Sequence, residues 1–139
     1  MTVRRATESD FPKIVELLRR FWSESHLPEF AEFDEESLLK TLDVLLVDGV
    51  LLTNGVGVIG GLIVPFFFNE SKKQAIEMFW YAERDGIALK KEFENWARHE
   101  GADVIALGSV PNEKRDSLER VYMRSGYRET ERLYLRKIR

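Results

Sequence analysis

The sequence predicts a mixed α/β domain, in which a twisted, mostly antiparallel sheet is flanked by helices and carries one βαβ crossover near its centre. Three observations predict it. Apolar residues recur at helical spacing early in the chain, and Asn54-Gly55 joins two strand-like apolar runs. The apolar run 75–82 then feeds almost directly into a helix opened by Asp85-Gly86, with another apolar run, 103–107, behind it.

Residues 2–6 read as a first strand. Thr7, with Asp10 three positions on, is a variant of the capping box and starts a helix. In that helix Ile14, Leu17, Leu18, Phe21 and Trp22 make one apolar stripe, while Lys13, Glu16, Arg19 and Arg20 face outward. The segment SHLPEFAEFDEES, with Pro28, scattered aromatics and five carboxylates, is a loop leading to a second helix over about 35–46. Runs 50–53 and 56–68 form a hairpin across Asn54-Gly55, and Gly57, Gly60 and Gly61 mark a bulge or a close backbone approach. Residues 69–74 read as a polar turn and 75–82 as the next strand. A helix over about 84–100 presents Leu89, Phe93, Trp96 and Ala97 on one face and closes at Gly101. The strand 103–107 follows, parallel to 75–82 and beside it. A last helix holds Leu118, Val121 and Tyr122 and stops at Gly126, and 131–137 alternates as a final strand. The order is β-α-α-β-β-β-α-β-α-β, one domain over 1–139, without a repeat or linker.

With 139 residues, 44% of them hydrophobic, the chain can bury one core. Its net charge of −3 gives no general grip on a polyanion, so broad nucleic-acid affinity is not expected. The absence of cysteine excludes disulfides, thiolate metal sites and cysteine nucleophiles, and fits a reducing compartment. His26 and His99 lie too far apart in sequence to supply an ordinary metal site by themselves, so no structural metal is expected. The first residues lack an apolar signal core. The longest apolar run, 56–68, is broken by glycines and Pro65 and is too short to cross a bilayer as a helix. The expectation is a cytoplasmic protein without a membrane partner.

Chemistry gathers in the stretch 75–101. A strand that enters a helix this tightly aims backbone N–H groups and the positive helix end at whatever sits above the turn, which suits a phosphate-bearing ligand. Glu77, embedded in an apolar strand, is a candidate base whose pKa burial would raise. The same residue also fits an inward carboxylate held by Arg or Lys, or one facing solvent. Phe30 and Phe33 either cover a pocket or fill the gap beneath their loop. The carboxylates Glu29, Glu32, Asp34, Glu35 and Glu36 fit a solvated helix start as well as a rim that attracts cations.

Three strings, VRRATESDFPKIVELL, IEMFWYA with its following helix start, and RVYMRSGYRE, occur in an order that resembles the GNAT superfamily of acyl-CoA-dependent N-acetyltransferases over essentially the whole chain. EMFW together with FENWARHEGA is similar to small phage-encoded members. The resemblance implies direct attack of a primary amine on acetyl-CoA, with Glu77 as base and Tyr122 as acid toward the leaving thiolate. Tyr122 also fits a core tyrosine beside Val121. Backbone groups of Trp80, Tyr81 and Ala82 would pair with the pantetheine arm, and an N–H there would stabilise the oxyanion. Amides of Arg84, Asp85, Gly86, Ile87 and Ala88 would hold the pyrophosphate. Asn112 is a candidate cofactor contact that equally fits a turn or cap. The acceptor, a small-molecule or protein amine, is expected on the side of Trp22, Phe30 and Phe33, in a monomer or homodimer. One departure stands out. The family's loop reads Gln or Arg, two residues, Gly, one residue, Gly or Ala, and Glu83-Arg84-Asp85-Gly86-Ile87-Ala88 matches only at Gly86 and Ala88. Glu83 and Asp85 would repel phosphates unless turned to solvent, with Arg84 opposing them. A catalytically silent GNAT-like binding module is the alternative reading.

Overall fold

The computed structural model describes residues 2–139 and contains a five-stranded sheet in the order β1-β2-β3-β4-β5. The strands are β1 (Arg4–Arg5), β2 (Val50–Thr53), β3 (Gly57–Phe66), β4 (Asn69–Ala82) and β5 (Val104–Ala106). The helices are α1 (Phe11–Glu24), α2 (Glu35–Asp48), α3 (Gly86–His99) and α4 (Arg115–Arg124). Strands β1 to β4 form an antiparallel meander, and β5 lies parallel to β4 after the α3 crossover, as the sequence predicts.

Two periodicities build the layers. Strand alternation sends Leu51, Val58 and Phe79 to one face, where Ile14, Leu17 and Leu18 of α1 and Leu42 and Leu45 of α2 cover them. Val50, Leu52, Ile59 and Ala75 face the other way, against Leu89, Phe93 and Ala97 of α3. The sheet is thus covered on both faces. Phe93 is fully buried, so its truncation to alanine costs about 3–5 kcal/mol. Ahead of α1, the Asp10 carboxylate accepts the Thr7 N–H at 2.8 Å and both terminal nitrogens of Arg4 at 2.8 and 2.7 Å. The cap expected at Thr7 is present, as a 3-10 turn over Glu8–Asp10 that leads into the helix.

The β3–β4 ladder slips where Gly60 pairs with Phe79 and Gly61 with Glu77, leaving Met78 as an extra residue on β4. One added residue reverses the alternation beyond it. Ala75 packs on the α3 side, but after the bulge Phe79 and Tyr81 pack on the α1–α2 side, and Trp80 and Ala82 on the α3 side. The glycines allow the strands to approach: a Cβ on Gly61 would lie 2.3 Å from the Ile76 carbonyl oxygen, and one on Gly60 2.8 Å from Phe79.

Two expectations are overturned. Residues 69–74 are not a turn, because β4 begins at Asn69 and the reversal is made by the exposed pair Phe67-Phe68. The polar run pairs with the outer half of β3, Lys73 with Pro65 and Gln74 with Val64, so main-chain bonds form a strand there without an apolar face. Residues 131–137 are not a strand either. Their alternation is strand-like, but no strand of the same chain lies beside them, and a strand exists only through a partner.

Candidate active site

β4 is paired with β3 as far as Ala82, but with β5 only through Gln74 with Val104, Ala75 with Ile105, and Ile76 with Ala106. Beyond Ile76 the two parallel strands part. The edge of β4 over residues 77–82 that faces β5 therefore has no strand neighbour, and its main-chain donors and acceptors on that side border a wedge.

Glu77 is the first residue of this open edge, and it sits beside the bulge. Its Oε1 accepts the Gly108 N–H at 3.1 Å, across the wedge. Burial pushes the Glu77 carboxyl up to about 7, against the lowering effect of that hydrogen bond. The Tyr122 hydroxyl donates to the Gly108 carbonyl at 2.5 Å, so both side chains meet on consecutive peptide groups of one residue. Burial first, then the Glu77 charge and Tyr127, push the Tyr122 hydroxyl far above the ordinary phenol range. At neutral pH this pair offers a carboxylate near its midpoint and a phenol that keeps its proton.

α4 holds Tyr122 in place through a second contact with the fold. The chain leaves that helix through Gly126 at φ 89°, with the Tyr127 N–H bonded to the Tyr122 carbonyl at 2.9 Å. Tyr127 donates to Glu94 at 2.6 Å, and the buried Lys90 ammonium bonds Glu94 at 3.1 Å and Ser125 at 3.2 Å. The Tyr122 ring then lies 6.3 Å from that of Trp80 and 5.6 Å from that of Tyr127.

The far rim of the wedge is the short connection from β4 to α3. Asp85 adopts a left-handed φ of 57° to make the turn, and α3 begins at Gly86. Asn54, buried in the β2–β3 turn, donates its amide to the Arg84 carbonyl at 3.1 Å and fixes this loop. A Cβ on Gly86 would make only ordinary contacts, 3.4 Å from Ala82 and 3.5 Å from Trp80. Arg84, Asp85 and Ile87 are exposed, whereas Gly86 and Ala88 are partly buried. Arg20 of α1 pairs with Glu83, which neutralises one of the two carboxylates expected to repel phosphate. The Asn112 side-chain oxygen accepts the Lys114 N–H at 2.9 Å, so this residue shapes the turn into α4.

Trp22 and Phe33 come together edge to face at 5.9 Å, with the Arg19 guanidinium 4.4 Å above the Phe33 ring. Phe33 packs on the α1–α2 core, and Phe30 is partly buried in the loop between those helices. Phe21 meets Tyr81 at 6.2 Å, so the end of α1 lies at the same end of β4 as the wedge. Gly108, Asn54 and Arg20 were not visible as site residues in the sequence; the only local signal was a glycine between a strand and a helix. Two open concavities of about 370 Å³ each lie elsewhere, around Trp96 and beside Glu100 or His99, and neither includes Glu77. Among the described residues, no group of three or more His, Cys, Asp or Glu could hold a metal, and no helix is long and apolar enough to cross a membrane.

No family model matches the chain, and no curated protein does. Solved structures do. A transcriptional regulator from Bacillus halodurans C-125 superposes with a TM-score of 0.74 at 18% identity, covering 97% of this chain and 98% of that one. An acetyltransferase from Trypanosoma brucei gives 0.69 at 22% identity, with 99% of each chain covered. An aminoglycoside acetyltransferase, AAC(6')-Iy, solved with the bisubstrate analogue CoA-S-monomethyl-acetylneamine, gives 0.71 at 17% identity, covering 99% of this chain and 97% of that one. At such identities the likeness concerns architecture: the chain shares the fold of these proteins, two of which are acetyltransferases.

Proposed function

We propose that the chain is an N-acetyltransferase that moves an acetyl group from acetyl-CoA to a primary amine by direct attack. The observation that carries this reading is the unpaired β4 edge over 77–82, with Glu77 and Tyr122 converging beside it. An edge with free main-chain groups can accept an extended amide-bearing arm as if it were another strand, which is the role assigned to Trp80, Tyr81 and Ala82. The amides of Arg84 to Ala88, at the start of α3, would receive the pyrophosphate, helped by the exposed Arg84 and by the pairing of Glu83 with Arg20. The Asn112 oxygen is engaged in its turn, so any cofactor contact from this residue would use its amide nitrogen.

Glu77 would take a proton from the acceptor ammonium, directly or through water, and so free the lone pair that attacks the thioester carbonyl. A carboxyl held at about 7 is close to the optimum for that task at neutral pH. A main-chain N–H of the open edge would face the developing oxyanion. As the carbon–sulfur bond breaks, Tyr122 would give its hydrogen bond to the leaving sulfur in exchange for the Gly108 carbonyl. An ordinary thiol has a pKa of about 8.5, below that of so buried a phenol, so Tyr122 mainly stabilises the sulfur charge. The proton finally taken up by sulfur then comes from the amine nitrogen of the tetrahedral intermediate. The acceptor is a small-molecule or protein amine approaching past Trp22, Phe30 and Phe33; the aminoglycoside acetyltransferase among the fold neighbours favours a small molecule.

Calorimetric titration with acetyl-CoA, followed by an amine panel monitored through CoA release, tests the proposal. Binding with turnover is expected. Tyr122→Phe should lower kcat about 10²-fold or more with little change in KM, as for loss of one transition-state donor. Absence of acetyl-CoA binding would leave the silent-module reading in its place.

A further inference from the structure

We propose that the β3–β4 hairpin is a docking arm for a second copy of this chain, with Phe67 and Phe68 of each copy seated in the concavity beside Trp96 of the other. The proposal does not depend on the acyl-transfer reading. β5 supports β4 only from Gln74 to Ile76, with the Asp103 N–H donating to the Lys73 carbonyl at 2.8 Å just before it. Farther out, among the described residues, β3 and β4 pair only with each other, Pro65 with Lys73 and Phe66 with Asn69. The tip of this arm is braced. Asn69 Oδ1 accepts the Ser71 N–H at 3.2 Å and the Ser71 hydroxyl at 2.7 Å, and the rings of Phe67 and Phe68 meet edge to face at 5.1 Å. Yet Phe67 is 90% exposed and Phe68 88%, and neither belongs to the core. Two neighbouring rings held in water at the end of a projecting arm mark a contact surface.

The same chain carries a recess that fits them. At the root of the arm, Leu46 and Val47 of α2, Ile63 of β3 and Trp96 of α3 line an open concavity of about 370 Å³, and Val47 is itself 82% exposed. That size lies within the range of about 300–1,000 Å³ that takes small ligands, so aromatic side chains can enter. From Ile63 to Phe67 the chain advances four residues, about 13 Å along a strand. Two arms that cross antiparallel about a two-fold axis, offset by that distance, set each tip over the root of the other. Such a contact is isologous, and the assembly closes at two copies. A phenylalanine side chain buries roughly 150–250 Å², so the four rings remove about 600–1,000 Å² from water. With a similar area on the recess walls, the sum reaches the range of about 1,200–2,000 Å² typical of a stable specific interface. Charge favours a second copy over lipid. The recess mixes Asp48 and Glu100 with Arg5 and Lys73, and the arm mixes Glu70 with Lys72, so the two surfaces meet without a like-charge excess. A net charge of −3 and Glu70 near the tip oppose approach to an anionic bilayer.

Sedimentation equilibrium and disulfide trapping on the full chain test this. A dimer is expected, and Phe67→Ser combined with Phe68→Ser should weaken it at least about 10²-fold. The circular-dichroism spectrum and melting temperature should not change, because both rings lie outside the core. The chain has no cysteine, so introduced thiols report proximity without interference. A mixture of the Val47→Cys and Phe68→Cys variants should oxidise to a covalent pair faster than either variant alone. A monomer at all protein concentrations overturns the proposal, and sedimentation of that monomer with phosphatidylserine vesicles would give the arm to lipid instead. A dimer indifferent to the loss of both rings also overturns it. So does faster trapping of Phe68→Cys alone than of the mixture, which would mean that the tips meet each other and leave the recess empty.

Discussion

Glu77 owes its raised pKa to a conflict between two influences on its carboxyl. The apolar strand around it disfavours charge, whereas the Gly108 N–H at 3.1 Å favours it, and desolvation prevails, leaving the group titrating at about 7. Two consequences follow at this one residue. If Glu77 is the base, it works only when ionised, so kcat/KM for the acceptor amine should fall as pH drops through about 7. Glu77→Gln should lose about 10²- to 10⁴-fold in rate together with that inflection, as read from pH–rate profiles of both proteins. The sign for stability is opposite. A carboxyl whose folded pKa is raised contributes stability that is complete below the unfolded value of 4.5 and is lost as pH rises through about 7. At pH 8 the glutamine variant should therefore melt no lower than the parent, and higher if its amide keeps the Gly108 contact. A variant both slower and less stable at that pH would mean that Glu77 serves the fold instead of the reaction.

Two elements place Glu77 and Tyr122, and each can be disturbed separately. The bulge at Met78 turns the alternation of β4 over, so that Glu77 opens the wedge while Phe79 fills the core. Gly61→Ala puts a methyl 2.3 Å from the Ile76 oxygen, a clash with backbone that only movement of β4 relieves. Its expected cost is about 2–4 kcal/mol by denaturant titration, with activity falling further than stability if the neighbouring Glu77 is the base. At α4, the buried Lys90 and Glu94 side chains, 4% and 12% exposed, lock Ser125 and Tyr127 to α3. Glu94→Gln leaves the ammonium without its counter-charge and should cost about 3–5 kcal/mol, whereas adding Lys90→Met should recover most of it. A double-mutant cycle that found no coupling would overturn this account. Such long-range features explain what the sequence concealed. The apolar stripes of α1 and α3, the Asn54-Gly55 turn and the βαβ crossover are local patterns, and all were legible. Glu77 and Tyr122 were legible as an embedded carboxylate and a tyrosine before Gly126. Their meeting at Gly108, the clamp of Asn54 on Arg84 and the neutralisation of Glu83 by Arg20 join residues 14 to 63 apart, and no spacing rule reaches that far. The polar start of β4 was misread because hydrophobic alternation reports burial, and pairing there occurs without it.

Across the whole molecule, burial falls away from the centre of the sheet toward its parallel edge. β2 is buried along its full length and β3 over its first half, between two helical layers, whereas β5 pairs over only three residues and the chain beyond Tyr127 is exposed. Amide exchange should follow that gradient, slowest in β2 and β3 and fastest beyond residue 127. The proposed ligand site lies at the boundary between the buried and the exposed parts, where main-chain groups are held in position without a strand neighbour. Saturating acetyl-CoA should therefore slow exchange in three separate stretches together: 77–82 on the open edge, 84–88 at the start of α3, and 107–112 on the opposite wall. At 100 times its Kd the ligand should add about 2.7 kcal/mol of stability, and the melting temperature should rise with ligand concentration. Protection confined to the surroundings of Trp96 and His99 would place the ligand in the concavities at the far end of α3 and remove Glu77 from the chemistry. Protection of 77–82 without 84–88 would separate two functions of the wedge, with pantetheine-like pairing retained and the three-residue connection from Ala82 to Gly86 too short to hold a pyrophosphate.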